Sequence, residues 1–361
     1  MTTASVQAAP AADNIRGTDP VVRVLEPTME REWDKFVSSQ PTGSFFMLSG
    51  WKRVIEKTFH YQPLYCYLEK DGEIAAVAPL FLVSNWMTGR CLISVPFGVY
   101  AGICAKDAES EQALLEHLKQ VAAGERVEYL ELRTRSGPVF EGFHHNPLYS
   151  TFTTELSPNH EANLKKLPKD TRYMIRKAEK AGLRSEHGWE QLDKFYPLFA
   201  QNLRNHGTPA FPRQLFDRFR EEFGGQLDLM IVYAGEAPVA GVVSFIFGDT
   251  ILPYYSGATP EAPRLGANNL LYWSLMKSAA EKGLRVFDFG RSKKGTGSFA
   301  FKTQWNMAVE PLQYQVHLVE RKTVPNFSPL NPKFQLATRV WQRLPLSVTT
   351  ALGPHLIKLF P

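Results

Sequence analysis

The sequence predicts an α/β protein made of two similar units in tandem, each a mixed, mostly antiparallel sheet covered by helices. Three observations predict it. Hairpins with matching apolar flanks sit at Asp71-Gly72 and at Gly235-Glu236. Each is followed by a further strand and then by a helix. The chain next reads Gly124-Glu125-Arg126-Val127 in one half and Gly283-Leu284-Arg285-Val286 in the other, at nearly the separation of the hairpins. Matched spacing in a matched order marks an internal repeat. Antiparallel hairpins joined to one parallel junction call for helices on the sheet faces.

Taken in order, residues 1–20 are rich in Ala, Thr and Asp and read as a disordered tail. They lack the apolar run of about 7–15 residues that a signal peptide needs. The first unit, residues 21–158, has strands at Leu64–Leu68, Ile74–Val83 and Leu92–Ala101, a helix near Glu111–Ala122, a strand from Val127 and a closing hairpin. The second unit, residues 159–320, opens with an amphipathic helix over Pro168–Gly182, with Asp170 as its cap and Gly182 as its stop. Met174, Ile175, Ala178 and Ala181 share one face of it; Lys169, Arg172, Arg176 and Lys180 line the other. A helix over Phe195–Arg204 and a loop at His206-Gly207-Thr208-Pro209 follow. Next come strands at Leu229–Tyr233, Val239–Phe247 and Ile251–Ala258, a helix over Asn268–Ala280, a strand from Val286, a short helix from Ser298, and again a closing hairpin. Residues 321–361 read as a basic amphipathic arm, with Phe334, Ala337, Val340, Trp341 and Leu344 on one side and Arg339 and Arg343 on another.

A chain of 361 residues fits two domains of about 150 residues each. Cys66, Cys91 and Cys104 have no metal-site spacing and read as small buried apolar side chains, so no structural zinc and no tightly bound cofactor is expected. No run approaches the ~18 apolar residues of a membrane span, and the chain reads as cytoplasmic. The net charge is +5, and residues 321–361 hold six basic side chains and no acidic one. The body is therefore almost neutral, which argues against a generic nucleic-acid-binding surface.

The densest chemistry lies in Phe287-Asp288-Phe289-Gly290-Arg291-Ser292-Lys293-Lys294-Gly295-Thr296-Gly297-Ser298, with Phe301-Lys302 and Trp305 close behind. A strand that stops at a Gly and runs into cations gathers backbone donors and positive charge, a setting for an anionic or carbonyl group. No Gly-Lys-Ser/Thr closes it, so it is not a nucleotide-hydrolase loop. The same residues also read as a basic connection from a strand to a short helix. What favours a site is its place beside a parallel junction, where splayed strands and a following helix N-terminus open a crevice.

This order, carrying Tyr254-Tyr255-Ser256-Gly257-Ala258, then Gly266-Ala267-Asn268-Asn269-Leu270-Leu271-Tyr272-Trp273, then Phe287 to Ser292, resembles the FemAB-like acyltransferases over about residues 21–320. The closest likeness is to the subgroup associated with exosortase/PEP-CTERM systems and exopolysaccharide loci. The resemblance implies two tandem GNAT-type folds and amide formation: an acyl or aminoacyl group moves from a thioester or a tRNA ester to an amine of a cell-envelope precursor, exopolysaccharide or peptidoglycan. Acyl-CoA-using GNAT enzymes commonly carry Arg or Gln three residues before the first Gly of the pyrophosphate turn. In Pro263-Arg264-Leu265-Gly266-Ala267-Asn268 the Arg stands two before it. The donor thus stays open between acyl-CoA and aminoacyl-tRNA, and the alternatives are an acyl-CoA-dependent N-acyltransferase on an amino sugar or an inactive scaffold in polysaccharide assembly.

Candidate roles follow. Gly266, Ala267, Asn268 and Asn269 open a helix whose free N–H groups suit a phosphate or oxyanion, although Gly and Asn serve as ordinary turn and cap residues too. Asp288, facing away from Phe287 and Phe289, is either a base for the incoming amine or the partner of Arg291 or Lys302. One of Tyr254 and Tyr255 is a candidate proton donor to the leaving group; the other belongs to the core. Arg291, Ser292, Lys293 and Lys302 are candidates to hold phosphate or carboxylate, and Trp305 to stack on a base or fill the core. Arg172 and Arg176 either steer a tRNA or phosphorylated acceptor or form a solvated face. The first unit is expected to serve as scaffold or acceptor side. The arm is expected either to touch an anionic membrane peripherally or to pack across both units.

Overall fold

The computed structural model describes residues 20–325 and 332–361. The expected tail, residues 1–19, lies outside the described residues, as do the side chains of Lys333 and Phe334. Two eight-stranded sheets form. The first runs Val21–Val24, Gln62–Lys70, Glu73–Asn85, Gly89–Ser94, Tyr129–Thr134, Gln313–Leu318, His144–Asn146, with Cys104–Ala105 paired beside it. The second runs Ser292–Lys293, Tyr149–Glu155, Val286–Asp288, Thr250–Ala258, Ala237–Phe247, Leu227–Ala234, Arg184–His187, with Ala308–Pro311 on Tyr149–Glu155.

Both predicted hairpins form. Lys70 pairs with Glu73 and Ala234 with Ala237 across two-residue turns. Asp71, Gly72 and Gly235 there take positive φ, which the tight turn demands. Each sheet has one parallel junction of only two residue pairs: Leu92↔Leu130 with Ile93↔Glu131, and Thr250↔Val286 with Ile251↔Phe287. Beyond those pairs the strands part; in the first sheet Ala101 bridges to Arg133 there, while the second keeps an open notch.

Several expectations are corrected. The closing strands are exchanged: Tyr149–Glu155 belongs to the second sheet, and Gln313–Leu318 inserts into the first between Tyr129–Thr134 and His144–Asn146. The strand expected over Leu92–Ala101 ends at Ser94, because Val95 (φ +40°) and Phe97 (φ +62°) turn left-handed. For a β-branched and an aromatic residue those conformations are costly, and Val95 and Gly98 carbonyls are held there by the Arg133 guanidinium. Asp170 lies in the first turn of the Lys169–Lys180 helix, whose N-cap is Pro168.

Each sheet packs its own long helix on an outer face. Leu114, Leu115 and Leu118 of Ala108–Gly124 meet Leu80, Leu92 and Leu130; Leu271, Leu275 and Ala279 of Ala267–Glu281 meet Met230, Val242 and Phe287. Between the sheets lies a third, aromatic core that both halves share, including Phe45, Trp51, Phe216, Phe219 and Phe245. Phe45 stacks on Phe245 with ring centres 4.4 Å apart. Such pairs add about 0.5–1.5 kcal/mol beyond the area they bury, so the halves are joined by core and not by surface contact. At Gly257 a Cβ would lie 2.4 Å from the Leu198 carbonyl carbon and the Phe199 nitrogen; only Gly lets the Leu192–Asn205 helix approach that strand so closely.

Candidate active site

A cavity of about 1010 Å³ lies between the halves. Its wall takes Pro253 and Tyr254 from one strand of the second sheet's parallel junction, and Phe289, Gly290 and Arg291 from the end of the other. The first half contributes Phe97, Glu131 and Arg133, and the exchanged strands contribute Tyr149 and Tyr314. The notch that the topology opens is thus closed over by the other half.

Arg291 is boxed by aromatics: its guanidinium lies 4.6 Å from the Tyr149 ring centre and 5.7 Å from that of Tyr314. The Tyr149 and Tyr314 rings are themselves 5.4 Å apart. Each such cation–π contact is worth from about 0.5 to 2 kcal/mol as water is excluded. Tyr314 donates its hydroxyl to Val99 O at 2.6 Å, which fixes the box across both halves.

Lys302, on the Gly297–Thr303 helix that Thr296 caps, reaches back over the Phe289 ring. Its Nζ donates to the carbonyls of Phe289, Gly290 and Arg291 at 2.5, 3.0 and 3.2 Å. Burial pulls its pKa down to about 7; the Asp288 carboxylate opposes that fall and the Arg291 cation adds to it. The three carbonyls take up all three protons of the ammonium form, while burial works against its charge, so Lys302 is poised between the two forms.

Asp288 is 1% exposed and forms no part of the cavity wall. Its Oδ1 accepts from Thr151 Oγ1 at 2.8 Å, from the Gly290 N–H at 2.8 Å and from Tyr100 OH at 3.1 Å. Its Oδ2 pairs with Arg135 Nη1 at 3.0 Å. The expected partners Arg291 and Lys302 are replaced by a first-half arginine, and the carboxylate ties the halves together.

Strand parity does not separate the tyrosine pair as expected: the ladder to Ala237–Phe247 slips at Tyr254, so both rings turn to the same side of the sheet, 4.8 Å apart, and both touch the cavity. Tyr254 faces the cavity and donates to Phe97 O at 2.6 Å. Tyr255 packs among Phe199, Phe211 and Phe216, and its buried hydroxyl has no partner. Burial raises both hydroxyls' pKa values, with Arg291 countering at Tyr254.

Gly266, Ala267, Asn268 and Asn269 do not reach this cavity. They begin the Ala267–Glu281 helix, which has no side-chain cap, so its first-turn N–H groups lack helical acceptors. A Cβ on Gly266 would sit 2.5 Å from Met174 O, so this end abuts the Lys169–Lys180 helix. Arg172 and Arg176 are on that helix, with Arg176 exposed, and Lys177 Nζ donates to Arg264 O at 2.8 Å. Of the cations on that helix, Lys177 is the one with a contact at the seam; Arg176 lies on the exposed side. Ser292 is buried in pairing with Ser150, Lys293 pairs with Tyr149, and Trp305 fills the second-half core beside Phe289 and Phe301.

Sequence reasoning did not single out Arg133, Glu131, Arg135, Tyr149 or Tyr314. The signal for the first two was present, since Leu130-Glu131-Leu132-Arg133 takes the place in the first repeat that Phe287–Arg291 takes in the second. Among the described residues no cluster of three or more His, Cys, Asp or Glu is placed to hold a metal, and no helix is long and apolar enough to cross a membrane.

Residues 165–303 match the acetyltransferase (GNAT) domain family. Over most of the chain the described fold is that of tandem GNAT proteins. FemX superposes with a TM-score of 0.65 at 16% identity, over 89% of this chain and 100% of its own. The C-terminal domain of a putative lysylphosphatidylglycerol synthetase from Agrobacterium fabrum gives 0.54 at 15%, over 80% and 92%. A tandem GNAT protein from the clavulanic acid biosynthesis pathway gives 0.51 at 11%, over 84% and 100%. No curated protein sequence matches.

Proposed function

We propose that the protein transfers an acyl or aminoacyl group to an amine on a cell-envelope precursor, with the transfer taking place at the cavity between the halves. The observation that carries this reading is the convergence of Lys302, Arg291 and Tyr254 on one wall, at the parted parallel strands of the segment matching a GNAT domain. In the step, the amine nitrogen bonds to the acyl carbonyl carbon and the carbon–oxygen or carbon–sulfur bond to the carrier breaks. Neutral Lys302 takes the proton that the amine loses. The Tyr254 hydroxyl gives one to the departing oxygen or sulfur, and the proton held by Lys302 passes through solvent to the Tyr254 phenolate, which restores both groups. Arg291 grips an anionic group of the bound molecule, and Asp288 positions the turn on which Arg291 and the Lys302 acceptors stand.

The domain roles proposed are transfer for residues 159–320 and acceptor binding for 21–158, with Arg133 and Glu131 as its contribution to the wall. The uncapped helix at Ala267 with Arg172 and Arg176 suits the phosphates of acyl-CoA or aminoacyl-tRNA alike. An exopolysaccharide or peptidoglycan amine is the proposed acceptor. The arm packs inward through Trp341, whose Nε1 donates to Thr208 O at 3.2 Å, while Leu336, Arg339, Val340 and Arg343 stay exposed. That outward face supports a peripheral contact with an anionic membrane.

The test is a mass-spectrometric comparison of surface glycan and peptidoglycan from strains carrying the wild-type chain, Arg291→Ala or Lys302→Met, with protein levels matched. An amide-linked group lost in both variants is expected. Identical envelopes would sink the transferase reading and leave the scaffold. Heat stabilisation by acyl-CoA but not by charged tRNA would select the acyl-CoA alternative.

A further inference from the structure

The cavity already contains part of its own chain. Beyond the Leu346–Leu356 helix, Ile357, Leu359, Phe360 and Pro361 run along its wall. First-half side chains hold this run through its main-chain oxygens. Tyr61 OH donates to Lys358 O at 2.6 Å and Asn85 Nδ2 to the same oxygen at 3.4 Å. Arg133 Nη2 donates to an oxygen of Pro361 at 2.9 Å.

Arg133 is itself buried, and its other donors are committed: Nε to Glu131 at 2.8 Å, and Nη1 to Val95 O and Gly98 O at 3.3 and 3.2 Å. Nη2 is the arm that serves the cavity, and an oxygen of residue 361 occupies it. Arg291 also lines the cavity, near enough that its charge acts on Arg133. Two guanidinium groups, one Glu131 carboxylate and the Lys302 amine line the space, so positive charge is in excess there even when Lys302 is neutral. Guanidinium groups so placed prefer oxyanions, which they bind with shorter, charge-assisted hydrogen bonds.

We propose that residues 357–361 are an internal plug at the Arg133 end of the cavity, and that a ligand bearing a phosphate or carboxylate group displaces them to reach Arg133 and Arg291. The plug rests on the cavity being the ligand site of the proposed transfer. Its test needs no turnover, so failure of the plug and failure of the transferase reading are separable.

The test is amide hydrogen exchange at Lys358–Phe360 in the full chain, titrated with inorganic pyrophosphate in one arm and citrate in the other. At least tenfold faster exchange at saturation in one arm is expected, and that arm identifies the anion. Tyr61→Phe keeps the ring among Phe59 and Phe97 but removes the shorter of the two hydrogen bonds to Lys358 O, leaving the 3.4 Å one from Asn85. It is expected to tighten binding of the effective probe at least threefold, and a chain ending at Lys358 at least tenfold. Unchanged exchange in both arms, or equal probe affinity in wild type and Tyr61→Phe, overturns the plug.

Discussion

Replacing Asp288 with Asn separates a catalytic base from a structural knot. The carboxylate is 1% exposed, and four donors surround it. Asn keeps an oxygen for Thr151, the Gly290 N–H and Tyr100, but sets an amide against the Arg135 guanidinium and removes the charge. Breaking a fully buried pair costs about 3–5 kcal/mol. Arg135 is 38% exposed and rehydrates, so the lower range of a charge-assisted hydrogen bond applies and the expected loss is about 2 kcal/mol. For a chain of 361 residues that lowers Tm by about 2–4 °C. Urea and thermal unfolding of Asp288→Asn, Arg135→Gln and the double variant form the cycle, and the two losses should overlap by at least half. Stability within about 0.5 kcal/mol of wild type, the ordinary range for an inert substitution, would refute the knot. If turnover vanished in that same protein, Asp288 would be the base.

Lys302 gives a pH signature. Its folded pKa is near 7 against an ordinary 10.5, so between those values the unfolded chain holds the extra proton and stability rises with pH. The urea midpoint of wild type minus that of Lys302→Met should therefore increase from pH 6.5 to pH 9.5; a flat difference would mean the ammonium is not strained by burial. Gly257→Ala drives a methyl into the Leu198–Phe199 backbone and should cost at least 1–3 kcal/mol, the usual range for overpacking. Differential scanning calorimetry reads it, and an unchanged Tm would show that the helix and strand are less closely packed than described.

What could be read in the chain was local or periodic. The hairpins announce themselves because two-residue turns need φ > 0 and put Gly72 and Gly235 between apolar runs. The parallel junctions follow from the order of elements alone. The site residues were visible as types but not as partners. Asp288 meets Arg135, Thr151 and Tyr100, which come from the other side of the repeat, and no spacing rule links them. Parity would put Tyr254 and Tyr255 on opposite faces; the bulge at Tyr254 defeats it and turns both to one side, and nothing in the local sequence marks that bulge. The Gly266–Asn269 turn looked like part of the same site as Arg291 because a helix after a parallel junction should open on its crevice; here that helix packs with Lys169–Lys180 in the outer core of the second sheet, and its first residues are absent from the cavity wall. The trading of strands had no local signal, since Tyr149–Glu155 satisfies its pattern equally well in either sheet.

That exchange sets a timetable for synthesis. On the ribosome the Tyr129–Thr134 strand emerges long before Gln313–Leu318, its eventual neighbour. Until then the first sheet presents a bare row of N–H and C=O groups, the kind of edge that recruits other chains. The amino-terminal half should accordingly be aggregation-prone when expressed alone, and a ribosome stall anywhere before residue 313 leaves a product that cannot close its own sheet.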